Sequence, residues 1–373
     1  MPKVDIGSRQ YRATRRQVLD ERQLAALSAS PKAARNRVVI AVLAVLLLVV
    51  AMTSICFGRF SVALPDVLSA LGEMAGRVFS GGGLAFEDNA TSVVVNLRLP
   101  RVIAAVLVGA ALAVAGASYQ GVFCNPMVSS DILGASAGAC FGASLAILLG
   151  APGLVIQLAA FVGGLIAVGL TYAIASAVGR GSQGVLALIL AGIVIQALFQ
   201  AFVGCVKYLA DPYSQLSEIT YWLMGSLGTV GYADVVWALP PLLVGVAVLM
   251  SLRWRVNVLS MGEEEAAALG VDTRRLRLAI IACATLVTGS AISIAGQVGW
   301  IGLVIPHLAR MIVGPNYRFL MPASLLMGGT FLLVVDDVAR TLMQAEIPLG
   351  ILTAVIGAPL FVFLLVRSRG GWS

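Results

Sequence analysis

One histidine, His307, occurs in 373 residues, and only 12% of the chain is charged. The five cysteines (Cys56, Cys124, Cys140, Cys205 and Cys283) are scattered and odd in number, and no C-x-x-C pair is present. These shortages exclude a disulfide scaffold and the usual histidine or thiolate metal sites, so no metal site is expected. The chain has no G-x-x-x-x-G-K-[ST] loop to bind ATP and no H-E-x-x-H pair to hold a catalytic zinc. No nucleophile with a base is apparent, so no catalytic residue is assigned, and no nucleic-acid partner is expected. A soluble domain of this length would need far more charge on its surface. What is abundant is apolar: 59% of residues are hydrophobic and 40 are glycine. This is the composition of an all-α, polytopic membrane protein.

The first 37 residues are polar and basic, with nine Lys/Arg against three acids. They precede an unbroken apolar run at 38–57, about one bilayer long. The basic stretch is too long, and the apolar one too complete, for a cleaved signal peptide. An uncleaved first helix is therefore expected. Further spans are expected at 101–121, 134–150, 154–178, 185–206, 235–252, 278–295, 301–313, 320–335 and 348–366. That makes ten in a domain covering 38–368, with a short end at 369–373. The eighth is short and contains Pro306. If the N-terminus lies inside, nineteen Lys/Arg fall on inward segments and six on outward ones. This bias places both termini in the cytoplasm.

Glycines at 134, 138 and 142 recur every fourth residue, and Gly109 and Gly116 lie among alanines. Such stripes let helix backbones approach closely in lipid, within the bundle or between subunits. No acidic residue falls in the middle of an expected span, which argues against proton- or sodium-coupled transport.

Four segments stand out. On the inward side, Ser260-Met261-Gly262-Glu263-Glu264-Glu265-Ala266-Ala267-Ala268-Leu269-Gly270 reads as a short helix. Ser260 and Glu263 would form a capping box, and Gly270 would end the helix. It is either an idle interfacial helix or a docking helix for a cytoplasmic partner. On the outward side, Arg98-Leu99-Pro100-Arg101 opens the second span. These cations sit at the expected positive end of a helix dipole, so outside carboxylates or lipid phosphate should relieve them. Arg340 ends Asp336-Asp337-Val338-Ala339-Arg340 and can pair with either aspartate one turn back. Finally, His307 lies in an apolar helix, where a packing role fits better than a ligand role.

Taken in order, several motifs resemble those of the FecCD-type permeases, membrane subunits of ABC importers for vitamin B12, haem and iron–siderophore complexes. They are Arg98-Leu99-Pro100-Arg101, Asn125-Pro126-Met127-Val128-Ser129-Ser130-Asp131-Ile132-Leu133-Gly134, the stretch 299–310, Asp336–Arg340 as spelled out above, and Glu346-Ile347-Pro348-Leu349-Gly350 leading to Gly357-Ala358-Pro359. The resemblance covers about 38–368. It implies a ten-helix subunit of type II importer architecture in the cytoplasmic membrane, working as a homodimer on two cytoplasmic ATPase subunits. ATP and Mg would be held by those partners, with no cofactor on this chain.

The resemblance further implies that Arg98, Arg101 and Arg340 meet glutamates of an extracytoplasmic substrate-binding protein. It implies that the segment 260–271 couples to the ATPase, with Ser260, Met261, Gly262, Glu263, Glu264, Ala267, Leu269 and Gly270 as contacts. The pathway would run along the fifth and tenth spans, where Gln196, Gln200 and Thr353 are the polar candidates. The cargo implied is a bulky metal chelate, an iron–siderophore complex or haem. Vitamin B12 and a metal oxyanion are the alternatives within the family, and an ion-coupled secondary carrier the alternative outside it.

Two departures accompany the resemblance. After Asn125-Pro126 the family reads leucine, alanine, variable, proline, and the loss of that proline should loosen the loop. The basic tail is also longer than the family needs; it serves either anionic lipid or no structured purpose.

Overall fold

The computed structural model describes residues 31–58, 62–80, 86, 88–178 and 184–368. Residues 1–30 of the basic tail and the end at 369–373 lie outside the described residues. Among those described, the secondary structure is helical throughout. The helices are α1 (Pro31–Cys56), α2 (Leu64–Phe79), α3 (Asn89–Val122), α4 (Ala135–Leu148), α5 (Gly153–Val178), α6 (Gly184–Leu209) and α7 (Gln215–Met224). They continue with α8 (Tyr232–Leu259), α9 (Glu263–Ala268), α10 (Thr273–Ala295), α11 (Ile301–Val313), α12 (Tyr317–Thr341) and α13 (Leu349–Ser368).

Each of the ten expected spans is a helix. Eight are long and apolar enough to cross a bilayer, while α4 and α11 are shorter apolar helices. At 13 residues, α11 reaches only about 20 Å, less than a bilayer core. α2 and α7 were not legible as spans because neither is apolar enough along its length. α2 is amphipathic, burying Val67 and Ala70 while exposing Leu64 and Leu68.

α3 is the core of the molecule. Its most apolar window is 83% buried, against 11% for α1 and 22% for α13. Alanine and glycine dominate its length, and α12, α10, α8 and α11 all pack on it. At Gly109 an added Cβ would lie 2.8 Å from the carbonyl carbon of Gly328 in α12. No side chain fits between those backbones.

The second small-residue stripe is corrected in part. Gly138 and Gly142 face Gly163 and Ala159 of α5, an interlock within the bundle. Gly134 lies outside the helix: it is the N-cap of α4 at φ +83°, backed by Ile195 and Gln196 of α6. α1 also starts earlier than the apolar run, at Pro31. Asn36 Nδ2 donates to the Val313 carbonyl at 2.7 Å, fixing the second turn of α1 to the end of α11.

Candidate docking and coupling sites

At one end of α3 three arginines converge. The helix does not start at Arg98, as the sequence suggests, but nine residues earlier, at Asn89. Asp88 caps it by accepting from the Thr91 N–H at 2.8 Å, and a π-turn at Val93–Arg98 continues into Leu99. Arg98 and Arg101 are thus clear of the dipole's positive end. Arg98 Nη1 instead donates to the carbonyls of Ile55 (2.6 Å) and Cys56 (3.0 Å), the last residues of α1. As the last carbonyls of α1 they carry the negative end of that dipole.

Arg101 is held by two carboxylates. Its Nε donates to Asp336 Oδ2 and its Nη2 to Asp336 Oδ1, each at 2.9 Å. Nη1 and Nη2 reach Glu346 Oε1 and Oε2 at 2.9 and 3.0 Å. Of the two pairings open to Arg340, the structure shows Asp337, with Nε at 3.2 Å. Ser54 of α1 completes the group: it donates to Asp337 Oδ1 at 2.6 Å and accepts from Arg340 Nη2 at 2.9 Å. All three arginines therefore have acceptors within the chain. Ser54, Asp336 and Glu346 were not among the expected site residues; Asp336 appeared only as a possible partner of Arg340, and Glu346 only as part of a motif.

At the far end of α3, Gly121 packs against Val256 and Tyr317, at the start of the coupling segment. The 24 residues from Leu99 to Val122 separate the two ends by about 36 Å. The expected capping box is not formed. Ser260 is the C-cap of α8, with φ −71° and ψ −8°, and its hydroxyl donates to the Asn257 carbonyl. Gly262 is the N-cap of α9 instead, at φ +128°, a backbone conformation that favours glycine. Gly270 ends the turn at φ +78°, its N–H bonded to the Ala267 carbonyl.

Ala266 is fully buried and anchors α9, while Ser260, Met261, Glu264, Ala267, Leu269 and Gly270 are exposed. A shallow depression beside them is lined by Trp254, Asn257, Met261, Pro315 and Asn316. Asn257 ties the Pro315–Asn316 turn in place, donating to Asn316 Oδ1 at 3.0 Å and accepting from the Tyr317 N–H at 2.9 Å. That second strip was not legible in sequence.

The pathway candidates separate. Gln200 is exposed and Gln196 half-buried on α6, whereas Thr353 is buried with its hydroxyl on the Gly350 carbonyl at 3.2 Å. α6 packs on α4 and α5, and α13 on α12, α11 and α7, leaving both with long uncovered apolar faces.

Two motifs far apart in sequence meet in the bundle. Gln120 Nε2 donates to the carbonyls of Val128 and Leu303, both at 3.3 Å, and Arg310 Nη2 donates to Gln120 Oε1 at 3.1 Å. The 125–134 loop, which lacks the family's proline, carries side-chain bonds of its own. The Asn125 side chain accepts from the Met127 N–H at 2.9 Å, and Asp131 accepts from the Ser136 N–H at 2.9 Å. Gly134–Gly138 also has the G-x-S-x-G spacing of a hydrolase nucleophile. Its strand-to-turn context is missing among the described residues, and Ser136 lies buried in the first turn of α4. His307 is buried with Nδ1 unbonded, and among the described residues no group of three metal-ligating side chains occurs.

Comparison with known proteins identifies the family and the architecture. A profile described as the FecCD transport family matches residues 46–367. The molybdate import system permease protein MolB of Haemophilus influenzae is 39% identical over 88% of this chain and 96% of its own. The cobalamin import system permease protein BtuC of Halobacterium salinarum is 43% identical over 76% of this chain and 75% of its own. A solved structure described as the inward-facing conformation of a metal-chelate type ABC transporter superposes with a TM-score of 0.77. It is 37% identical and covers 88% of this chain and 99% of that one.

Proposed function

The chain belongs to the FecCD transport family, and we propose that it moves a bulky metal chelate, an iron–siderophore complex or haem, across the cytoplasmic membrane. It is a multi-pass permease subunit of an ABC importer and not an enzyme; ATP hydrolysis belongs to a separate subunit. An ATPase and a substrate-binding protein are its partners in transport.

The observation that carries the mechanism is the placement of two polar faces at opposite ends of one buried helix. On this reading the arginine end of α3 faces outward, as the Lys/Arg bias indicates, and receives the loaded binding protein. Arg98, Arg101 and Arg340 frame that face. A partner carboxylate reaching them must compete with Asp336, Asp337 and Glu346. The exposed turn around α9, from Ser260 to Gly270, receives the ATPase below, and the buried Ala266 transmits its movement to the bundle. Closure of the two ATPases on ATP and Mg supplies the motion. A second copy of the chain covers the open faces of α6 and α13, and the substrate passes between the copies. Gln196 and Gln200 are the polar groups on that route, with Thr353 fixing the first turn of α13 from behind. Apolar walls would let a large chelate pass without gripping it.

A metal oxyanion or a corrinoid is the second reading of the cargo, favoured by the molybdate of MolB and the cobalamin of the Halobacterium permease. Uptake into ATP-loaded proteoliposomes carrying the permease, its ATPase and its binding protein tests this. Ferric siderophore, haem, cobalamin and molybdate are offered in parallel. Accumulation of a ferric siderophore or haem, dependent on ATP and the binding protein, is the expected result. Accumulation of cobalamin or molybdate alone overturns the chelate reading, and accumulation without ATP overturns the mechanism.

A further inference from the structure

The two carboxylates on Arg101 differ in the properties that decide whether a contact can be released. Asp336 lies within α12, its side chain 1% exposed, and takes one edge of the guanidinium. Glu346 lies in the segment 342–348 between α12 and α13, its side chain 27% exposed, and takes the other edge. Removing one partner of a buried ion pair is strongly unfavourable, whereas a pair in contact with water exchanges at little cost. The exchangeable edge of Arg101 is therefore the one that Glu346 occupies.

That edge also has a mechanical connection. Residues 341–345 are exposed, and three residues after Glu346 the chain enters α13. Besides Glu346, backbone bonds tether the segment: Ile347 N–H to the Ala339 carbonyl at 3.1 Å and Leu349 N–H to the Gly225 carbonyl at 2.9 Å. Across from it, Gly228 lies so close that an added Cβ would be 2.6 Å from Glu346 Oε2. Glu346 thus ties the entry of α13, and the turn near Gly228, to the core helix α3.

Resting on the docking reading above, we propose that Glu346 holds on Arg101 the place that a carboxylate of the substrate-binding protein takes when it docks. Docking then exchanges one carboxylate for another and releases the side-chain tether of the 342–348 segment, leaving the backbone bonds of Ile347 and Leu349 as its hold at the entry of α13. The exchange leaves Arg101 paired on both edges before and after, so no buried cation is stranded. The displaced Glu346 moves into water, where an ionised carboxylate is well solvated. Binding of the partner is in this way coupled to a helix on the transport route.

The experiment uses the complete complex in lipid nanodiscs with its purified binding protein. The Kd for that protein is measured for the wild type, Glu346→Gln and Glu346→Asp, at low and high salt. A nitroxide on Met343→Cys, an exposed position, reports the mobility of the segment. Glu346→Gln should tighten binding about tenfold at low salt, because the internal competitor is gone; Glu346→Asp should shift in the same direction by less. The label should become mobile in the wild type only on docking, and be mobile beforehand in Glu346→Gln.

Unchanged or weaker binding by Glu346→Gln, while salt and Arg101→Gln both weaken wild-type docking, overturns the exchange but leaves the docking face standing. So does a wild-type label that stays immobile in the docked complex. A Kd indifferent to salt, to Arg101→Gln and to Glu346→Gln overturns the docking reading and the exchange with it.

Discussion

Gly116 of α3 and Gly302 of α11 meet backbone to backbone: a Cβ on Gly116 would lie 2.6 Å from the Gly302 Cα. On its other side Gly302 touches Ser130, whose Oγ would be 2.5 Å from an added Cβ. Through this contact the half-length α11 is seated against the core helix and the 125–134 loop at once.

Gly116→Ala should therefore destabilise the protein by about 1–3 kcal/mol, as overpacking does in a close-packed interior. Gly169→Ala is the control. Nothing lies within 4 Å of its Cβ position, and alanine favours the helix by about 0.5–1 kcal/mol. Thermal unfolding in detergent separates the two, and equal melting temperatures would contradict the contact.

The unequal burial of Arg101's partners gives a second contrast. Asp336→Ala leaves a buried guanidinium half-paired and should cost about 3–5 kcal/mol. Glu346→Ala removes a more exposed partner and should cost at most about 1 kcal/mol. The same melting assay, run on both variants, reads the difference.

At the coupling end, Met261→Asp with Leu269→Asp changes two exposed side chains and should leave stability unaltered. Stimulation of the ATPase by loaded binding protein should fall about tenfold or more, the loss expected when apolar anchors leave an interface. Ala266→Leu, in a site with no room, should instead lower the melting temperature. Full stimulation in the double aspartate variant would remove α9 from the ATPase contact.

Asp131, in the connection between α3 and α4, gives a pH dependence. Burial raises its carboxyl above the ordinary 3.8, and its bonds with Ser136 pull the other way. Because the folded value exceeds the unfolded one, its contribution is greatest below pH 3.8 and is lost as pH rises through the raised value. Asp131→Asn keeps an oxygen for the Ser136 N–H and should flatten that slope. Asp131→Ala loses both the acceptor and the titrating group, so its cost of about 1 kcal/mol in acid should shrink as pH rises. Melting curves across the acid range test the sign; a wild type that grows more stable as pH rises through this window, relative to Asp131→Asn, would refute it.

Much of the architecture is legible in the amino-acid sequence alone. A bilayer demands runs of apolar residues long enough to satisfy every backbone group inside a helix. That demand fixes 38–57, 154–178 and 185–206 as helices whatever their neighbours do. The turn at Gly270 is equally readable, since its positive φ is a local requirement. α2 escapes because an amphipathic surface helix leaves no such run. The capping box fails because α8 continues through apolar and polar residues up to Leu259 and claims Ser260 for its own end.

The charged cluster shows what one dimension withholds. Spacing on α12 allows Arg340 to pair with Asp336 or Asp337, and both fit the helix equally well. The choice comes from across the bundle: Asp336 faces α3, where Arg101, 235 residues away in sequence, already holds it. Glu346 joins Arg101 over 245 residues, and Ser54 joins Arg340 over 286. Thr353 likewise turns inward because the rotation of α13 is set by its contacts with α11 and α12. Sequence determined which long apolar segments are helices and where small residues let backbones approach, because lipid and small side chains act locally. Only the tertiary structure decided which charge meets which, because ion pairing depends on helix rotation and on distances between chain segments that no local rule specifies.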